Sequence, residues 1–137
     1  MKGNRLYKSE KLCSQTAVER LFEHGNATIA YPLRAVYSVM PQDTPHDNGV
    51  RLRFLITIPK KKIRHAVDRV LLRRRIREAY RLNRNIVYQS LEQTNSCAQV
   101  AFIYLAQAEK ADYAIINEKM RTLLERIAQA ATTLSHE

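Results

Sequence analysis

Residues 99–105, QVAFIYL, form a short and almost wholly apolar run. A strand covered on both faces reads this way, whereas a buried helix needs a longer run. A central strand obliges the rest of the chain to supply sheet neighbours and helices that cover them. The preceding strand-like run, Val50–Ile58 (VRLRFLITI), alternates Leu52, Phe54 and Ile56 against Arg51, Arg53 and Leu55, and Pro59 ends it. A long helical pattern from His65–Ala66 to about Leu91 lies between the two runs. They therefore cannot be joined by a tight turn.

The remaining elements follow from period and punctuation. A first helix is expected from about Ser14 to His24, with capping-box spacing at Thr16 and Glu19 and a stop at Gly25. Its apolar side is Ala17 and Leu21, with Val18 and Phe22 beside them. Two extended segments follow, Ala27–Tyr31 and Leu33–Met40, broken by Pro32. Residues 41–49 (PQDTPHDNG) read as a long hairpin loop. The last helix covers Asp112–Leu134, with a stripe of Ile116, Met120, Leu123, Ile127, Ala130 and Leu134 that packs on the sheet. The order α-β-β-β-α-β-α predicts an α+β sandwich on a mixed sheet, one domain over residues 1–137.

Charge then narrows the function. The chain has 137 residues and a formal net charge of +10. Residues 60–84 hold 11 bases against Asp68 and Glu78, a net +9, while the other 112 residues hold 12 bases and 11 acids. A nearly neutral domain thus carries one basic element, and an anionic partner is expected, nucleic acid first. Gly3, Gly25 and Gly49 lie far apart, which argues against a glycine-rich phosphate cradle. No apolar stretch follows the basic start, and none approaches the roughly 20 residues of a membrane span. Cys13 and Cys97 form no CxxC pair and read as reduced thiols of a cytoplasmic protein. His24, His46, His65 and His136 are scattered, and no catalytic or metal-ligand constellation stands out.

Arg69, Arg73, Arg77 and Arg81 are spaced by four and climb one helix face, with Arg74 and Arg84 near it and Leu72, Ile76, Ala79 and Tyr80 roughly opposite. Like charges at this spacing disfavour an isolated helix by a few tenths of a kcal/mol per pair. Glu78 relieves part of that, and a polyanion would relieve the rest. Arginine's planar donor fork matches phosphate oxygens and stacks on bases.

The run Lys61-Lys62-Ile63-Arg64-His65-Ala66-Val67-Asp68-Arg69-Val70-Leu71-Leu72-Arg73-Arg74-Arg75-Ile76-Arg77-Glu78-Ala79-Tyr80-Arg81 resembles the signature of the bacterial ribonuclease P protein subunit. The paired lysines, Ala66-Val67, Arg69, the basic pair Arg73-Arg74, and Arg77, Glu78, Tyr80 and Arg81 match. Arg5-Leu6, Leu21-Phe22-Glu23-His24-Gly25 and Tyr31-Pro32-Leu33 add to the likeness. Val70 and Leu71 depart from it, standing where the family pattern has asparagine and a second arginine. Arg64 stands where many members have glycine.

The resemblance implies a fold like the second domain of ribosomal protein S5, with a left-handed crossover. It implies two partners, a catalytic RNA and precursor tRNA, and no membrane. The complex would remove the 5′ leader by Mg²⁺-dependent endonucleolytic cleavage, the RNA holding the metal and the protein alone not being catalytic. Lys61, Lys62, Arg64, Arg69, Arg73, Arg74, Arg77 and Arg81 would bind the catalytic RNA. Single strands are commonly held by aromatic stacking beside basic groups. Phe22, Tyr31 and Tyr37, with Arg34, Arg51 and Arg53, are accordingly the candidates for the leader. The alternatives are a structural rRNA-binding ribosomal protein, served by the same helix, and a DNA-binding regulator, which would need polar base-reading residues that 69–77 lack.

Overall fold

The computed structural model describes residues 11–12, 14–41, 51–106 and 110–134. Gly3, Arg5-Leu6, Cys13, residues 42–50 (which hold most of the expected loop, with His46 and Gly49) and His136 lie outside the described residues, as does the side chain of Leu134. The elements run α1 (Gln15–His24), β1 (Asn26–Ala30), β2 (Leu33–Pro41), β3 (Leu52–Thr57), α2 (Ala66–Asn83), α3 (Asn85–Thr94), β4 (Ser96–Tyr104) and α4 (Tyr113–Leu134). The sheet order is β1-β2-β4-β3. β1 with β2 and β2 with β4 are antiparallel, and β3 with β4 is parallel, so the sheet is mixed. β4 occupies an interior position, as its apolar run requires. It begins at Ser96, three residues before the run, because Ser96, Cys97 and Ala98 still pair with Pro41, Met40 and Val39.

The two faces of the sheet are covered unequally. Leu33, Ala35, Leu52, Phe54, Val100, Phe102 and Tyr104 point to the face packed by α2, α3 and α4 and form the main core. Phe54 stacks on Tyr80 of α2 with ring centroids 4.4 Å apart. Ile116, Met120, Leu123 and Ile127 of α4 are wholly buried there, each contributing about 1.5–3 kcal/mol by apolar burial. Further along, Leu124, Ala128 and Ala131 are buried and Ala130 is only half-buried, so the α4 stripe is wider than its simple spacing implies. Among the described residues, the opposite face carries α1 alone of the helices. There Leu12, Leu21, Val36 and Ala101 form a small second cluster, with Ala17, Val18, Leu55 and Ile103 against it.

Three sequence expectations change. The N-cap of α1 is Ser14, whose hydroxyl accepts from the Ala17 N–H at 3.3 Å, so Thr16 lies inside the helix. Gly25 closes α1 with φ −75°, an ordinary extended conformation. Its lack of a side chain matters for space, since a Cβ there would stand 2.4 Å from Leu21 O and 3.0 Å from Tyr37 O. The long basic helix is two helices, divided at Arg84. Asn83 Nδ2 donates to Ala79 O at 2.8 Å, competing for a helical carbonyl, and also to Asn117 Oδ1 of α4 at 2.7 Å. Arg84 follows Tyr80 by one turn and is fully buried, so it is no part of the exposed arginine face.

Candidate nucleic-acid interface

α2 is positioned by the row Leu72, Ile76, Ala79 and Tyr80, all without solvent exposure. Helical geometry then turns Val67, Val70, Arg73, Arg74 and Arg77 outward, and all five are exposed. The side chains of Arg73, Arg74 and Arg77 make no hydrogen bond to another described residue. Their guanidinium groups therefore stand with their donor sets available to an outside acceptor.

The other arginines of this segment are partly committed within the protein. Arg69 Nη1 donates to Ile63 O and Arg64 O, both at 2.9 Å, and so braces the turn that carries Lys61, Lys62 and Arg64. Lys61 and Arg64 are exposed in that turn and Lys62 is half-buried. Arg75 Nη1 reaches Ala111 O at 2.8 Å and ties α2 to the start of α4. Arg81 forms a two-pronged pair with Glu78, its Nε donating at 3.1 Å. This hydrogen bond holds the Glu78 carboxyl below its ordinary value, and the charges of Arg81 and Arg77 act the same way. Burial pushes the Tyr113 hydroxyl beside this pair upward.

The face carrying α1 gathers some of the predicted leader-binding residues and separates others. Strand alternation sends Arg34 of β2 and Arg53 of β3 to this face. Phe22 of α1 is 44% exposed, and Ile29 and Met40 are exposed apolar residues of the same sheet face that sequence reasoning missed. Tyr37 does not join them. It lies on the other side of the sheet, packed against the main core, because β2 alternates Leu33, Ala35, Tyr37 and Val39 inward there. Arg51 is also apart, at the end of the sheet where β4 begins. Its guanidinium donates to Asn95 Oδ1 at 3.3–3.4 Å and to Ser96 O at 3.2 Å, bracing the left-handed Asn95 (φ 50°) between α3 and β4. Tyr31 lies in the β1–β2 turn at the far end, 59% exposed, beside a hollow with Tyr104, Lys110 and Ile115.

The outer edge of β3 joins α2 to these surroundings. β3 pairs with β4 on one side, and on the other meets Lys11, with the Leu12 N–H donating to Phe54 O at 2.8 Å. Between this edge and the arginine face of α2 runs a groove. Lys11 and Leu12 gave no motif signal, since only the folded edge brings them to it.

A family model described as Ribonuclease P matches residues 6–128. Two curated relatives, each the Ribonuclease P protein component, agree with it. That of Porphyromonas gingivalis is 32% identical over 123 residues, covering 90% of this chain and 86% of the relative. That of Chlorobaculum tepidum is 34% identical over 112 residues, covering 77% and 71%.

The chain belongs to the ribonuclease P protein family.

Solved structures agree on the fold. The Staphylococcus aureus RNase P protein superposes with a TM-score of 0.64 at 15% identity, covering 87% of this chain and 95% of that one. The Thermotoga maritima RNase P protein gives 0.63 at 20% identity, covering 86% and 97%. Membership makes the chain an RNA-binding component of a tRNA-processing ribonuclease, with ribonuclease P RNA as its implied partner. Among the described residues, no three His, Cys, Asp or Glu side chains gather as a metal-ligand group. No helix there is long and apolar enough to cross a membrane.

Proposed function

We propose that this ribonuclease P protein binds the catalytic RNA through α2 and its preceding turn, and the 5′ leader of precursor tRNA along the face that carries α1. In this reading the RNA carries out Mg²⁺-dependent endonucleolytic removal of the leader in the cytoplasm, and one folded domain serves both contacts. The observation that carries it is the outward display of Arg73, Arg74 and Arg77, whose side chains donate no hydrogen bond to another described residue. Lys61, Lys62 and Arg64 extend that surface, Arg69 braces the turn that carries them, and Arg81, paired with Glu78, closes its far end. Phe22, Arg34 and Arg53 form the leader side. Mg²⁺ sits among RNA phosphates, whose hard oxygens suit it, and the protein lowers the metal demand by neutralising charge.

The test uses the full chain with its ribonuclease P RNA. Each phosphate contact contributes roughly 0.7–0.9 to the log–log salt slope of binding. Arg73→Ala with Arg77→Ala should therefore flatten the slope by about 1–2 units. An unchanged slope would remove these arginines from the interface. Protein freed of all RNA should leave precursor tRNA uncut, and adding the RNA at low Mg²⁺ should restore cleavage. Efficient cleavage by protein alone would overturn the assignment of chemistry to the RNA.

A further inference from the structure

The groove between α2 and the edge of β3 has a volume of about 320 Å³ and is not explained by phosphate binding alone. Its inner surface is apolar, formed by Leu12, Leu55 and Ile56 with Val70 of α2 opposite. Arg73, Arg74 and Arg77 stand along its mouth on the α2 side. Val70 is 52% exposed in the midst of these arginines. A phosphate backbone passing over such a surface would satisfy the guanidinium groups and leave the apolar wall facing water. The shape and chemistry instead suit an object that is flat and weakly polar at one end and anionic at the other. A nucleotide has that form, and the volume falls at the small end of the roughly 300–1,000 Å³ typical of small-molecule sites.

We propose that this groove receives one unstacked base of the partner RNA, held between Val70 and the apolar edge of β3, with its flanking phosphates on Arg73, Arg74 and Arg77. The inference rests on the assignment of α2 to the catalytic RNA and adds a base-binding subsite to it. It also gives Val70 a task. A polar or charged side chain at this position would project into the groove, whereas valine keeps the wall apolar and the space open. Unpaired bases are the part of an RNA that can leave its stack and settle on such a surface.

Val70→Gln projects a longer, neutral polar side chain into the groove without altering charge or adding a stacking ring, at a position exposed enough to tolerate it. The variant and the wild-type chain are each bound to ribonuclease P RNA, and affinity, salt slope and nucleotide-resolution 2′-hydroxyl acylation are measured. The expected result is an affinity lower by about tenfold, the scale of one lost base contact. The salt slope should stay unchanged, because the phosphate contacts remain. At least one unpaired nucleotide whose reactivity changes on binding wild-type protein should keep its free-RNA reactivity with Val70→Gln. The unchanged slope also reports that the variant is folded and docked. Equal affinity and an identical reactivity profile for the two proteins would overturn the base subsite while leaving α2 as the RNA-binding element. A change confined to self-association of the protein, at matched RNA affinity, would make the groove a contact between copies and overturn it too. Failure of wild-type protein to bind the RNA would sink the underlying assignment, and the subsite with it.

Discussion

At Gly25 the missing side chain lets α1 end close against β2, with Leu21 O, Tyr37 O and Val36 Cγ1 all within 3.0 Å of where a Cβ would stand. Two of these atoms are backbone and cannot swing aside. Gly25→Ala should therefore cost about 1–3 kcal/mol, as overpacking does, read as a lower urea midpoint at constant m-value. The sequence marks Gly25 as a helix stop, but its steric role needs the β2 contact and was not legible. Glu78 gives a pH-dependent prediction. Its carboxyl titrates lower in the folded state than its ordinary 4.5. The pair with Arg81 thus stabilises the fold above that pH, and the gain is lost as pH falls through the depressed value. The side chains are 32% and 47% exposed, so water screens the effect and it is small. Stability curves of Glu78→Gln and wild type should differ near neutrality and converge in acid.

Among elements, β4 and α4 were the most legible, because a continuous apolar run and a sustained helical stripe each admit few readings. The basic helix was less so. Its hydrophobic spacing continues past Arg84, and nothing in that spacing shows that Asn83 turns to α4 and divides it. Arg84 shows the consequence, since counting positions put it near the RNA-facing side while the fold buries it. Arg84→Ala should lower stability by about 2–3 kcal/mol and leave the salt slope of RNA binding unchanged, the reverse of the Arg73/Arg77 pattern. β2 teaches a similar lesson about phase. Arg34 and Tyr37 lie three residues apart, so alternation puts them on opposite faces. They could not both line one cleft in a regular strand, and deciding which did required knowing that α1 covers one face and α4 the other.

In the molecule as a whole, the main core and the displayed charges occupy different surfaces of the same helix. The buried row of α2 meets Phe54 and Phe102 through Tyr80, while the charge faces outward. Damage to the core should therefore reduce the amount of folded protein without changing how the folded fraction senses salt. Leu123→Ala should cost about 2–5 kcal/mol in chemical unfolding, with the salt slope of RNA binding preserved at temperatures where the variant remains folded. The outer edge of β3, which among the described residues meets only Lys11 and Leu12, has a further consequence for the protein before it meets RNA. Sheet edges invite pairing with another chain, and here two copies meeting edge to edge would press their arginine rims together. Mutual repulsion should keep the solitary protein dispersed at low ionic strength. Salt weakens that repulsion, so solutions of the bare chain should grow turbid as salt rises, and ribonuclease P RNA, by occupying the rim, should keep them clear.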